Sequence, residues 1–397
     1  MSTIAMFTTY APSEGFGGPA RAHHQRIVLE QAGHQVVHVV VQSNSERGNT
    51  RPTDFVALVE RPWREEIDHI YDDVDLANRA ARNLRLRRSI VDHLRRSNTE
   101  LIVLEQPFLV ELVTAVADEL GAPVIYSSQN IEYQLRHDLE RFDPSSKRAA
   151  DRHQEVRLLE LAAFELSDRV TAICPSDQTK IIEEFGRTST LVPNGSTVAD
   201  IALPVDVARQ RIGCTTFAFA GSSYWPNVEG FLEIATPSLA FLPPTTKIDV
   251  AGSVGPQLLR HSRFVRHQST NASRLNIRGF LPMSDLVAMM CRSRATIVPV
   301  FVGEGSNLKS ADALACGAPV VMSRRATMGY EDIIEADPEG VHIVESPDEF
   351  RSELRRLVFE DPISEIVGIR RRELLRWDLR LDPLLRLVNE LVAPPPI

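Results

Sequence analysis

A chain of 397 residues is too long for one ordinary core and predicts two domains. With 43% hydrophobic and 24% charged residues it has the composition of a folded globular protein, not a disordered one. A formal charge of −9, with no basic arm or stripe, argues against a general nucleic-acid binder.

In chain order, "TIAMFTTY" (3–10), "QVVHVVVQ" (35–42), "LIVLEQ" (101–106), "PVIYSSQ" (123–129) and "RVTAIC" (169–174) read as strands. Between them "GPARAHHQRIVLEQAG" (18–33) and "PFLVELVTAVADELG" (107–121) read as helices ending at glycine, with His23 and His24 expected as a solvated pair. Residues 43–75 carry no specific signal. The stretch "NRAARNLRLRRSIVDHLRR" (78–96) reads as one solvated helix whose arginines spread around its axis. Contact with an anionic membrane surface is the alternative for it.

A second series follows "LVPNGSTVADIALPVD" (191–206), whose Pro-Asn-Gly turn marks an interdomain boundary. Its strands are "TFAFAGS" (216–222), "TKIDVAGS" (246–253), "RLNIRGF" (274–280), "ATIVPVF" (295–301), "APVVMS" (318–323) and "VHIVES" (341–346), with helices such as "MSDLVAMMCRS" (283–293) between them. The last segment, 370–392, reads as one amphipathic helix. Strand–helix alternation of this kind means α/β architecture: two Rossmann-like, doubly wound parallel-sheet domains facing a central cleft. Open parallel sheets bind ligands at their carboxyl edges. The expected division is 1–198, 199–370 and a C-terminal helix, 371–397, packing back on the first domain.

The N-terminus has no basic region ahead of an apolar run, and no apolar run approaches membrane-spanning length. Four cysteines, Cys174, Cys214, Cys291 and Cys316, lie far apart without C-x-x-C spacing. Reduced thiols, no metal site and a cytoplasmic location follow as expectations. Trp225 and Trp377 read as packing residues.

The most informative stretch is "GEGSNLKSADALACGAPVV" (303–321). A strand runs into a glycine-bearing loop and then a helix from about Ser306 to Cys316, closed by Gly317. Free N–H groups at a helix start form an anion site, and Lys309, one turn in, adds a point charge suited to phosphate. Lysine is scarce here, with four against forty arginines, which makes Lys309 more notable. Asp312 shares a face with apolar neighbours, and as an ionised carboxylate it only accepts hydrogen bonds, which suits hydroxyl groups. Two readings stay open on spacing alone. Either Lys309 and Asp312 pair with each other at i, i+3, or a polar ligand belongs between them.

"PVFVGEGSNLKSADALACGAPVVMS" resembles the nucleotide-sugar motif of retaining GT-B glycosyltransferases, specifically glycosyltransferase family 4: a glutamate, seven residues, then a second acidic residue. Further matches run along the chain. They are "EGFGGPARAHHQRIVLEQAGHQVVHVV", "PVIYSSQNIEYQL", "SDRVTAICPSDQ" with "LVPNG", "FAFAGSSYWPNVEGF" in the variety with a Pro-Asn pair, and "RGFLP". The resemblance implies that Glu304 holds hydroxyls of a donor sugar, Asp312 the ribose hydroxyls, and Lys309 a phosphate. The backbone of Gly305, Ser306, Asn307 and Leu308 would face diphosphate or sugar. Gly17 and Gly18 would let backbone approach the donor phosphates, and the backbone near Phe280 and Leu281 would read the base. Gln129 aligns with a catalytic-site histidine of many members; an amide there hydrogen-bonds but transfers no proton. Asn130 and Glu132 would lie on the acceptor side, in the first domain. The basic pair that many members carry early in the second domain is not visible, leaving more of the diphosphate to Lys309 and helix N–H groups.

What the resemblance implies is a retaining transferase that moves a sugar from a nucleoside-diphosphate sugar to a glycan, lipid-linked or small-molecule acceptor. No separate cofactor or metal is implied, and no nucleic acid. The inner membrane face is the expected place of any peripheral contact. A catalytically weak binding or scaffold subunit on the same fold is the alternative, and a nucleotide-sugar epimerase or hydrolase a third.

Overall fold

The structure is a computed structural model that describes residues 1–13, 17–43, 50–60, 70–142, 152–203, 206, 209–302 and 305–393. The chain forms two compact units, Met1–Pro193 with Leu381–Ile397, and Asn194–Arg380.

In the first unit seven strands, β1 (Thr3–Thr8), β2 (Gln35–Ser43), β3 (Phe55–Val59), β4 (Thr99–Leu104), β5 (Val124–Ser127), β6 (Arg169–Ala172) and β7 (Thr190–Leu191), lie in the order β3-β2-β1-β4-β5-β6-β7. The paired strands are parallel, with Ile4 opposite Val36 on one side and Leu101 on the other. β1 is buried along its whole length, as a central strand covered on both faces must be. The helix Val110–Leu120 ends at Gly121, whose φ of 66° is the left-handed stop glycine supplies without strain.

In the second unit β8 (Thr216–Ala220), β9 (Lys247–Ala251), β10 (Leu275–Gly279), β11 (Thr296–Val298), β12 (Val320–Ser323) and β13 (Val341–Val344) lie in the order β10-β9-β8-β11-β12-β13. The period of two along β8 separates two cores. Phe217 and Phe219 pack with Phe231 and Ile297, whereas Ala218 packs with Leu314 and Val298. Both sheets thus reverse their winding order once, between β1 and β4 and between β8 and β11. At such a switch point the loops after the two strands diverge and leave a crevice at the carboxyl edge.

Four details depart from the sequence expectations. β3 falls inside the uninformative stretch; it is a short edge strand whose Leu58 is exposed, so its pattern is broken. The Arg-rich helix is two, Asp72–Arg82 and Leu84–Arg96, because the Asn83 side chain accepts from the Leu86 N–H and caps a new start. The second of these buries Ile90, Val91 and Leu94, which turns Arg85, Arg88, Arg95 and Arg96 to the exposed side. The C-terminal segment breaks into Ile369–Leu374, Trp377–Arg380 and Asp382–Val392. The last of these belongs to the first unit, where it buries Leu384, Leu387 and Val388 and lies against β4. Among the described residues no helix is long and apolar enough to cross a membrane.

Candidate functional site

The second unit's crevice is built by the loops that follow β8 and β11. After β11 the chain turns at Gly305 (φ 71°), and the helix Leu308–Ala315 begins with Asn307 as its N-cap. The cap makes no side-chain bond to the helix, and of the first-turn N–H groups that of Ser310 donates to the Asn307 carbonyl at 2.9 Å, which leaves those of Leu308 and Lys309 at the open end. Ser306 and Asn307 are held from behind. Ser306 Oγ donates to Tyr330 Oη (3.0 Å), Tyr330 Oη donates to the Asn307 carbonyl (3.2 Å), and Asn194 Nδ2 lies 3.3 Å from Ser306 Oγ.

Lys309 and Asp312 do not pair with each other. The Lys309 ammonium donates to Asn227 Oδ1, from the helix that follows β8. The Asp312 carboxylate accepts from Ser196 Oγ at 2.7 Å and from the Val198 N–H. Mutual satisfaction within the helix, one of the two open readings, is therefore overturned. At i, i+3 both side chains have better partners in loops distant in sequence. Burial pushes the Lys309 ammonium down to about 7, and no charged side chain among the described residues offsets it. Burial likewise pushes the Asp312 carboxyl up to about 6, against the pull of Ser196 and Val198. A cation and an acid, each held away from its preferred charge state, flank one helix start.

Glu304 lies outside the described residues. Phe280 follows β10 with its side chain 75% exposed, and Leu281 is partly buried. Their loop is stitched to its neighbours at the same sheet edge: Gly252 N–H donates to the Gly279 carbonyl at 2.7 Å, and Gly221 N–H to the Ala251 carbonyl at 3.1 Å.

The first unit brings a separate group to its own switch point. Gln129, after β5, donates through Nε2 to Tyr10 Oη (2.9 Å) and to Glu105 Oε2 (2.6 Å). Glu105, at the end of β4, is buried, also accepts from Gln25 (2.6 Å), and has its carboxyl raised chiefly by that burial. Gly17 has φ 68° and ψ −146°, a conformation glycine alone adopts readily. Gly18 is small for another reason, since a Cβ there would lie 2.5 Å from Tyr10 Oη and 2.9 Å from Gln129 Oε1. Asn130 Nδ2 donates to Glu132 Oε1 (3.0 Å), and Glu132 is buried near Arg136. His24 is buried, with its imidazole pushed down to about 4 by desolvation, while His23 is half-buried, so only one of the pair on the first helix meets solvent.

Sequence reasoning missed Asn194, Ser196, Asn227, Glu105 and Tyr330. The signal for two of them was at hand in "PNGS". Gly195 allows the chain to pass Trp377, whose ring would meet a Cβ at 2.8 Å, and so fixes the flanking Asn194 and Ser196.

Two doubly wound parallel-sheet units, each with one switch point, are the building units of the GT-B fold. Residues 214–360, within the second unit, match the family described as Glycosyl transferases group 1. Among solved structures, sucrose-phosphate synthase from Thermosynechococcus elongatus superposes with a TM-score of 0.72 at 15% identity, over 99% of this chain and 100% of that one. HepE from Anabaena in complex with UDP-glucose does so with a TM-score of 0.67 at 14% identity, over 98% and 100%. WaaG, a glycosyltransferase involved in lipopolysaccharide biosynthesis, gives 0.66 at 13% identity, over 98% and 100%. These likenesses are of fold. No curated protein matches the chain in sequence.

Proposed function

We propose that the protein transfers a sugar from a nucleoside-diphosphate sugar to an acceptor with retention of anomeric configuration. The observation that carries this reading is Lys309, a partly buried ammonium with a neutral partner, beside open helix N–H groups. Such a site favours a multiply charged anion. In the proposed step the anomeric C–O bond breaks through an oxocarbenium-like state, and the departing diphosphate takes up the bonding electron pair. An acceptor hydroxyl oxygen bonds the anomeric carbon on the same face while its proton passes to the departing diphosphate oxygen. Lys309 and the backbone of Gly305, Ser306, Asn307 and Leu308 stabilise the charge that develops there; removal of one such preorganised donor typically costs about 10²–10³ in kcat. Asp312 keeps lone pairs for ribose hydroxyls after Ser196 and Val198 have taken theirs. The backbone at Phe280 and Leu281 meets the base, and Glu304 holds sugar hydroxyls. Gly17, Gly18, Gln129, Asn130 and Glu132 serve the reaction from the first unit, and the reaction runs in the cytoplasm. HepE, on the same fold, binds UDP-glucose, which supports a nucleotide-sugar donor and puts UDP first in the panel below.

A second reading, a binding subunit without turnover, draws on Gln129, whose amide N–H groups are committed to Tyr10 and Glu105. Slow donor hydrolysis without acceptor separates the two, since a transferase shows it and a scaffold does not. The test of the first reading is thermal stabilisation by UDP, GDP, ADP and dTDP, each with and without common sugars. A ligand at 100 times its Kd adds about 2.7 kcal/mol. A shift from one nucleotide, lost in Asp312→Ala, supports the proposal; no shift from any of them refutes it.

A further inference from the structure

The residue that holds Lys309 is not an acid. Asn227 is 8% exposed, and both ends of its amide are engaged. Nδ2 donates to the Ser222 carbonyl and Oγ, each at 3.1 Å, and Oδ1 accepts from the Lys309 ammonium. That pattern fixes which way the amide points, because Ser222 O can only accept and the ammonium can only donate. A single side chain thus ties the loop after β8 to the first turn of the helix after β11.

We propose that Asn227 is a positioning residue for the donor diphosphate: its amide oxygen orients the Lys309 ammonium beside the helix start without cancelling the charge. This rests on the nucleotide-sugar reading above. The logic is one of charge. An ammonium has three donors; one bonds Asn227 and two remain for phosphate oxygens. An aspartate in the same place would hold the ammonium as firmly but neutralise it, and a diphosphate would then meet an ion pair instead of a cation. Asparagine gives orientation and leaves the attraction for the ligand. The low proton affinity of the buried Lys309 fits a cation held by a neutral partner. Pro226 and Gly230 flank Asn227 on a helix tight against the Pro299 carbonyl, so the backbone that carries the amide has little room to shift.

The test measures, by calorimetry, the affinity of whichever of UDP, GDP, ADP and dTDP the wild type binds best, with its nucleoside as control. Asn227→Asp is expected to weaken the diphosphate at least 10-fold and leave the nucleoside unchanged. Asn227→Ala, which loses orientation without adding charge, is expected to weaken it about 3- to 10-fold, and serves if Asn227→Asp does not fold. In a Lys309→Met background either change is expected to alter diphosphate affinity less than 2-fold, because the group being positioned is gone. A purely structural asparagine would give the same loss with or without Lys309, or would weaken nucleoside and diphosphate alike, and either result overturns the inference. Unchanged diphosphate binding in both variants overturns it while the donor reading stands. A wild type that binds none of the four nucleotides overturns the donor reading and the inference with it.

Discussion

Replacing Lys309 by methionine should make the folded protein more stable at neutral pH while it weakens, without abolishing, diphosphate binding. In the folded chain burial lowers this ammonium from the usual 10.5 to about 7, whereas the unfolded chain keeps the ordinary value. The unfolded state therefore binds more protons between those limits, and by linkage the buried lysine costs about 4 kcal/mol at pH 7. Screening at its open side trims that figure, and methionine gives up the hydrogen bond to Asn227, worth about 1 kcal/mol. A net gain of about 2 kcal/mol remains, or a rise of roughly 4–8 °C in the melting of a unit of this size. The sign follows pH. The advantage is full below the folded value, shrinks as pH rises from about 7, and vanishes near 10.5, where the lysine is neutral in both states. Melting curves of both proteins at pH 6, 7, 9 and 10.5, with and without nucleotide, test this. A Lys309→Met protein less stable than wild type at pH 7, or a gain that ignores pH, would refute the account of a strained, ligand-seeking cation.

Ser196→Ala takes one hydrogen bond from Asp312, whose carboxyl then rises above its present value of about 6. Nucleotide affinity should fall at pH 7 and the acid limb of its pH profile should move upward, as titrations between pH 5 and 8 would reveal. Glu304→Ala should lower turnover with nucleotide binding retained, whereas Asp312→Ala should weaken the nucleotide itself; equal losses in kcat and KM for both mutants would contradict these roles. Gly230→Ala puts a Cβ 1.8 Å from the Pro299 carbonyl oxygen, a backbone atom that cannot step aside. It should destabilise the second unit by about 2 kcal/mol or more, measured as a fall in its unfolding midpoint in urea.

The sequence by itself determined the elements whose signal is local. Runs of Val and Ile between helical periods announced both parallel sheets, because strands buried on two faces must be apolar throughout. Glycines betrayed the stops of helices, and "GEGSNLKSAD" betrayed a helix start that invites an anion. β3 escaped because an edge strand needs only one apolar face, and the break at Asn83 because leucine and arginine favour helix on both sides of it. The tertiary structure alone decided who partners whom. Lys309 and Asp312 look like a pair when read along the chain, yet the reversal of strand order between β8 and β11 brings Asn227 to one, and the turn at 193–196 brings Ser196 to the other. Those partners lie 82 and 116 residues away in sequence, a separation no periodicity can signal. Burial was decided there too. His24 looks solvated on its own helix and becomes buried once that helix is packed in its unit. Composition and spacing report what a segment can do; the charge state a buried side chain adopts depends on neighbours that only folding supplies.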